Sequence, residues 1–338
     1  MTFIPSISTL LLGLVPAVGS LRIWEVGHFR GFVPEQYASD ITPKRFFETY
    51  QFLPFVVRGF HRTLDELAIG DDFDGDSLDW LSGQIGEQAR MTTLEGALQE
   101  TRLDPVIHKL KFKYFFEKFK HMDIYAVSQV PVGIRKHFQL LPFFSCGGNS
   151  YRLQAPMMWI SGGLKSSKSV VHADSSHNQH CVLKGSKKFM LIPPTIPVDT
   201  EEYGWLNVEN PDGTMKEGYE DAYGDYAAKI DYDNIDLDAF PKWKDVPWLL
   251  AELHAGDCLY MPIEWFHYVE SSPEPSVTWH QWFHTSEAWV DQPTCQSPDA
   301  PGRVLFTDKC VFQNDDQKFT KRSFWDNYPD RTSICQYE

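Results

Sequence analysis

The stretch Val170-Val171-His172-Ala173-Asp174 sets a histidine and an aspartate two residues apart in an apolar, β-branched run. Side chains of an extended strand alternate between faces, so His172 and Asp174 project from the same one. A second histidine, His267, ends the segment Gly256-Asp257-Cys258-Leu259-Tyr260-Met261-Pro262-Ile263-Glu264-Trp265-Phe266-His267, which reads as strand, Pro-containing turn and returning strand. Two imidazoles and one carboxylate on one side of an octahedral ion leave three positions open, the pattern of non-haem iron centres. A lone His-x-Asp pair carries no weight, since any long chain contains such pairs. The surrounding elements decide whether the three meet.

From about Tyr125 to Phe283 the chain breaks into short apolar runs punctuated by Gly and Pro: 157–160, 170–173, 180–183, 188–192, 257–261, 267–269 and 277–283. Many short strands with turn signals predict a mainly β barrel or double-sheet jelly roll. Upstream, Thr42-Pro43 is an N-cap followed by proline at the first helical position, with Phe46, Phe47 and Tyr50 at helical spacing. Pro54-Phe55-Val56-Val57-Arg58-Gly59 predicts a short strand closed by glycine, and Phe112, Phe115, Phe116 and Phe119 an amphipathic helix. These boundaries divide the chain into a leader (1–20), an N-terminal helical and strand segment packed on the barrel (21–124), the barrel (125–284) and a polar tail with some helix (285–338). Residues 199–248 interrupt the barrel with an acidic, tyrosine-rich insertion, read either as a solvated loop or as a surface for a basic substrate.

The whole chain carries a formal charge of -15, so a phosphate backbone would be repelled, and nucleic acid is not an expected partner. The apolar run Leu10 to Val15, followed by Ala17-Val18-Gly19-Ser20, reads as a signal peptide although no Lys or Arg precedes it. A signal peptide implies the secretory pathway; without one the expectation is cytoplasmic. No other stretch approaches the ~18 apolar residues of a membrane span. Of the six cysteines, Cys295, Cys310 and Cys335 cluster near the C-terminus, where a secreted chain would form one disulfide, while Cys181 and Cys258 read as small buried hydrophobes.

Taken in order, His172-Ala173-Asp174, Asn178, Gly185-Ser186-Lys187-Lys188-Phe189, Pro193-Pro194, the Gly256–Pro262 run with Trp265-Phe266-His267, and the entrance segment Pro54–Gly59 resemble the JmjC branch of the cupin oxygenases. The pattern is most similar to the small protein hydroxylases related to the asparaginyl hydroxylase of hypoxia-inducible factor, and it covers most of residues 40–284. The resemblance implies a double-stranded β-helix and an Fe(II)- and 2-oxoglutarate-dependent dioxygenase. Such an enzyme consumes O2, releases succinate and CO2, and hydroxylates a protein or peptide side chain. It implies His172, Asp174 and His267 as metal ligands. Lys187, fifteen residues after His172, would pair with the far carboxylate of 2-oxoglutarate; strand parity alone leaves Lys188 open. Ser169 and Tyr125 would hydrogen-bond the same carboxylate, and Asn178 would lie on the co-substrate side. His280 stands where many members have an Asn, as a replacement donor or a competing ligand. His177 and His180 are expected to support the ion rather than bind it. Trp159, Tyr260, Trp265, Phe266 and Trp282 line either the cavity or the core. Two other readings stay open: a catalytically silent binding barrel, and a zinc or other metal cupin that does not use 2-oxoglutarate.

Overall fold

The computed structural model describes residues 21–85, 91–96, 108–121, 124–146, 155–174, 176–196, 201–207, 226–228, 230–285, 293–299 and 304–306. The leader, Cys310 and Cys335, and the tail beyond 306 lie outside them. Strands dominate: β1 (His28–Phe32), β2 (Phe55–Val57), β3 (Met91–Gly96), β4 (His108–Lys111), β5 (Ile124–Gln129), β6 (Gln139–Leu140), β7 (Met157–Ser161), β8 (His172–Ala173), β9 (His177–Lys184), β10 (Ser186–Ile192), β11 (Trp205–Asn207), β12 (Tyr226–Ala228), β13 (Pro247–His254), β14 (Cys258–Met261), β15 (Phe266–Ser271), β16 (Ser276–Phe283) and β17 (Val304–Leu305). They form two large sheets, ordered β1-β13-β10-β15-β8-β12-β11 and β2-β14-β9-β16-β7-β5-β3-β4, with β17 pairing β6 apart from both. This is the jelly-roll arrangement read from the strand spacing.

Alternation along the strands sorts residues into three layers. Val182, Leu259 and Met261 of one sheet meet Phe189, Leu191, Ala251 and Leu253 of the other, forming the apolar half of the barrel interior. Outside the first sheet, Trp205, Trp243, Trp248, Phe266 and Tyr268 pack with Ile23 and Val26. Outside the second, Cys181, Leu183, Tyr260 and Trp279 are covered by the N-terminal helices α1 (Pro43–Arg45, continued by a wider turn over Phe46–Tyr50), α2 (Leu64–Gly70) and α3 (Ser77–Ile85). Phe112 and Phe115 of α4 (Phe112–Lys118) join that layer. The Thr42 hydroxyl accepts from the Arg45 amide, making it the N-cap the sequence predicts.

Several expectations change. The N-terminal segment does more than pack on the barrel, because β1 extends one sheet and β2 the other. Part of the acidic insertion is sheet rather than loop: β12 pairs β8, β11 pairs β12, and β13 crosses its end. Cys181 and Cys258 are disulfide-bonded, since the register of β9 with β14 sets them directly opposite. Cys295 bonds Cys146 rather than a neighbour in the tail, fastening the chain after the barrel to the N-terminal layer.

Two devices fix the frame around the site. Gly185, at φ +76°, turns the chain from β9 in one sheet to β10 in the other. A Cβ there would approach the Pro275 carbonyl at 2.8 Å, so the corner requires glycine. Asp257 accepts from the Gly59 amide at 3.0 Å and the His254 amide at 3.0 Å, and pairs with Arg58 at 2.7 Å. One carboxylate thereby joins the end of β2 to the turn before β14.

Candidate metal centre

β8 and β15 are antiparallel neighbours with His172 directly opposite His267. Asp174 follows β8 by one residue. The three ligand atoms lie within 4.8 Å of one another, and no other group of three or more His, Cys, Asp or Glu does so among the described residues. His172 Nε2 is 3.9 Å from Asp174 Oδ1, and His267 Nε2 is 3.9 Å from Asp174 Oδ2. Each imidazole is held from behind: His172 Nδ1 meets the Val170 carbonyl at 2.8 Å and His267 Nδ1 the Trp265 carbonyl at 3.1 Å. A carbonyl only accepts, so Nδ1 carries the proton and Nε2 presents its lone pair to the centre. Trp282 Nε1 donates to Asp174 Oδ2 at 3.0 Å and orients the carboxylate. Two neutral imidazoles with inward lone pairs and one steered carboxylate fit a divalent ion.

Deeper in the barrel lies a buried cation. Lys187 is 4% exposed and its Nζ donates to Tyr125 Oη at 3.0 Å. Lys188 points outward and pairs with Glu252 at 2.9 Å, which settles the parity left open by the sequence. Lys187 sits opposite Ser271 and Leu191 opposite His267, so ammonium and metal ligands share one face of the β10–β15 ladder. The opposing sheet contributes a polar wall. Ser161 Oγ, Asn178 Oδ1, His180 Nε2, Ser276 Oγ, Thr278 Oγ1 and His280 Nε2 are buried and find no protein hydrogen-bond partner. The register of β16 with β7 and β9 sets these side chains on one face with Trp159. Each unpartnered buried polar atom costs about 1–3 kcal/mol, so this group is more than a marginally stable fold retains as mere core. A polar guest between the metal ligands and Lys187 accounts for them. The Lys187 ammonium and the hydroxyls of Ser161, Ser276 and Thr278 can donate to the oxygens of an anionic guest, whereas Asn178 Oδ1 only accepts.

The other predicted residues fall into place around this frame. Asn178 Nδ2 lies 3.4 Å from His280 Nδ1, and the His280 ring is held between Trp159 at 3.8 Å and Trp282 at 3.9 Å. His280 is therefore an inward residue outside the metal group. Burial pushes its imidazole pKa well down, aided by His180, Lys187 and His267. His180 also faces inward, and burial, then Lys187 and His267, push its pKa down likewise. His177 begins β9 on the opposite face, with Tyr260 Oη 2.8 Å from its Nδ1, and burial lowers its pKa to about 3. The histidines close in sequence to the ligands thus do not build a four-ligand site. Ser169 donates to the Val170 carbonyl at 2.9 Å and accepts from the Val269 amide at 2.9 Å, so its hydroxyl proton is committed to backbone. Of the aromatic set, Trp159 and Trp282 face the cavity, whereas Tyr260 and Phe266 belong to the outer layers. The Trp282–Asp174 bond and the hydroxyls of Ser161, Ser276 and Thr278 escaped sequence reading. Only the ladder register brings them to the site.

A jelly roll holding a two-histidine, one-carboxylate centre at its mouth is the class that fold and site define together. The chain belongs to the cupin-like domain family, whose sequence pattern matches residues 56–288, and this is a family of 2-oxoglutarate-type oxygenases. It is 33% identical over 111 residues to Jumonji C domain-containing protein 5 of Drosophila melanogaster, covering 32% of this chain and 24% of that protein. It is 31% identical over 108 residues to the human bifunctional peptidase and (3S)-lysyl hydroxylase JMJD7, covering 30% and 34%. Similarity to the Arabidopsis thaliana lysine-specific demethylase JMJ30 is 28% over 101 residues, covering 30% and 20%. These matches span 20–34% of the relatives' lengths. Among solved structures, E. coli ycfD aligns with a TM-score of 0.41 at 14% identity, covering 74% of this chain and 54% of that one. No helix among the described residues is long and apolar enough to cross a membrane.

Proposed function

We propose that the protein is an Fe(II)- and 2-oxoglutarate-dependent oxygenase that hydroxylates a protein or peptide side chain. The observation that carries this reading is the joint placement of the His172, Asp174 and His267 group with the buried Lys187–Tyr125 pair, opposite a wall of unpartnered polar atoms on the other sheet. His172, Asp174 and His267 would hold the iron; when bound, iron and 2-oxoglutarate supply oxidative decarboxylation with O2 to succinate and CO2, coupled to hydroxylation of an unactivated C–H bond. The Lys187 ammonium and the Tyr125 hydroxyl would hold the far carboxylate by charge-assisted hydrogen bonds. Neutral His280 and Asn178 have a donor each for the near end, and Trp282 keeps Asp174 in its orientation. Phe189, Leu191, Val182 and Leu259 supply an apolar interior that excludes water. The human relative's lysyl hydroxylase name supports side-chain hydroxylation. The test is succinate formation from 2-oxoglutarate against a peptide library, with an Asp174→Ala control. Peptide-stimulated succinate in the wild type and none in the control is expected; equal turnover in both would overturn the iron assignment.

We also infer that the chain works in an oxidising compartment, the endoplasmic reticulum lumen or beyond, with residues 1–20 as its signal peptide. Two disulfides, with no free cysteine among the described residues, support this, because the reducing cytosol disfavours such bonds. Thiol blocking of protein from secretory cells before any reductant should leave Cys146, Cys181, Cys258 and Cys295 unlabelled. Labelling of all four would contradict the inference.

A further inference from the structure

Three hydroxyls inside the barrel have no task in the protein alone. Ser161, Ser276 and Thr278 are 5%, 1% and 0% exposed, and no protein group bonds their oxygens. Their strand neighbours Ile160, Val277 and Trp279 pack in the outer layer with the N-terminal helices, so alternation turns all three hydroxyls inward. Alanine or valine would fill these positions without an orphaned polar atom, and a buried hydroxyl left unpaired weakens a fold. Three of them facing one cavity point to a guest that accepts their protons.

Register groups them at the cation end of the cavity. Ser276 stands opposite Ser161 in the β7–β16 ladder, and Ser161 opposite Tyr125 in the β5–β7 ladder. Directly opposed side chains of antiparallel strands lie about 5 Å apart at Cβ. Tyr125 in turn accepts from the Lys187 ammonium. Ser276 also borders the corner that leads into Lys187, because a Cβ on Gly185 would lie 3.3 Å from that of Ser276. Thr278, opposite Trp159, is the next inward residue of β16 toward Trp282, which holds Asp174. The row of hydroxyls therefore runs from the ammonium toward the metal group. Ser169, to which the family resemblance gives the hydroxyl contact with the far carboxylate, is engaged elsewhere. Its one proton goes to the Val170 carbonyl, and its oxygen accepts from the Val269 amide.

We propose that Ser161, Ser276 and Thr278, on the sheet opposite Lys187, bind the far carboxylate of 2-oxoglutarate in place of Ser169, whose hydroxyl instead fastens backbone. This rests on the 2-oxoglutarate reading and assigns its specificity for a dicarboxylate to residues outside the family's pattern. The test uses the full chain with and without Mn(II). Calorimetry measures binding of 2-oxoglutarate and of 2-oxopentanoate, which has the same chain length and no far carboxylate, and thermal melts measure the stability of the ligand-free protein. Thr278→Val and Ser161→Ala should each weaken 2-oxoglutarate binding about tenfold or more, the range for a hydrogen bond to a charged group, and leave 2-oxopentanoate unchanged. Because each removes an orphaned hydroxyl, the ligand-free melting temperature should hold or rise. Ser169→Ala should do the reverse, lowering the melting temperature while 2-oxoglutarate affinity stays within about twofold, below what a lost hydrogen bond to a carboxylate gives. Wild-type affinity in both Thr278→Val and Ser161→Ala, an equal loss for both ligands, a tenfold loss in Ser169→Ala, or a lower melting temperature for Thr278→Val would each overturn the proposal while leaving the oxygenase reading in place. Failure of the metal-loaded wild type to bind 2-oxoglutarate at all would remove that reading and the proposal with it.

Discussion

At the scale of single residues, the site is built by side chains whose protonation and orientation are forced by what stands behind them. Trp282 holds one oxygen of Asp174, and such outer hydrogen bonds typically contribute 10- to 100-fold to metal affinity. Trp282→Phe should therefore weaken metal binding by at least about tenfold in competition with a chromogenic chelator; unchanged affinity would make the bond incidental. His177 gives a prediction in pH. Its folded pKa lies near 3 because burial penalises the charged ring, against about 6.5 in the unfolded chain. Between those values the unfolded state binds a proton that the folded state does not. Its stability contribution is therefore complete above about pH 6.5 and falls by up to about 1.4 kcal/mol per unit below it, levelling near 3. Thermal melts at pH 7, 6 and 5 should show a shallower loss for His177→Gln than for wild type, and parallel curves would contradict it. The sequence pointed to His172, Asp174 and His267 through the family resemblance rather than through the His-x-Asp spacing, which carries no weight alone; the strand register brings their ligand atoms within 4.8 Å of one another. The family spacing favoured Lys187 over Lys188, but strand parity could not decide between them, since both lie on one regular strand and only its neighbours say which face is inward.

At the scale of elements, register carries what local pattern cannot. The predicted strands around 157–160, 257–261 and 277–283 are present, as is the phenylalanine helix, because alternation and helical spacing are written locally. β13 was not expected as a strand, the acidic insertion being read as ending at residue 248, since its sequence, Pro247 to His254, mixes charge with apolar residues across two half-covered faces. The Cys181–Cys258 bond was invisible for a related reason: two cysteines 77 residues apart become neighbours only through the β9–β14 ladder. Closing a loop of that length constrains the unfolded chain by about 4 kcal/mol in the chain-entropy account. A Cys181→Ala, Cys258→Ala double variant should accordingly unfold at distinctly lower denaturant concentration. An unchanged midpoint with an unchanged slope would show that the bond contributes nothing to the fold.

At the scale of the whole molecule, the two sheets divide the labour. One presents the ligands and Lys187; the other supplies the polar wall, and the N-terminal helices brace its back. The formal charge of -15 gives the whole chain a net field that favours cationic partners. Binding of a basic peptide should weaken as salt rises from 50 to 300 mM, and salt-independent binding would remove long-range attraction from the account. The most direct test of the central claim is the equilibrium binding of 2-oxoglutarate under anaerobic conditions, with and without Fe(II), measured by calorimetry. The account predicts one-to-one binding that requires the metal, is lost in Asp174→Ala, and is weakened by about a hundredfold in Lys187→Ala, the loss expected when a buried charge-assisted pair is broken. Binding of equal strength without metal, or unchanged in both variants, would contradict it.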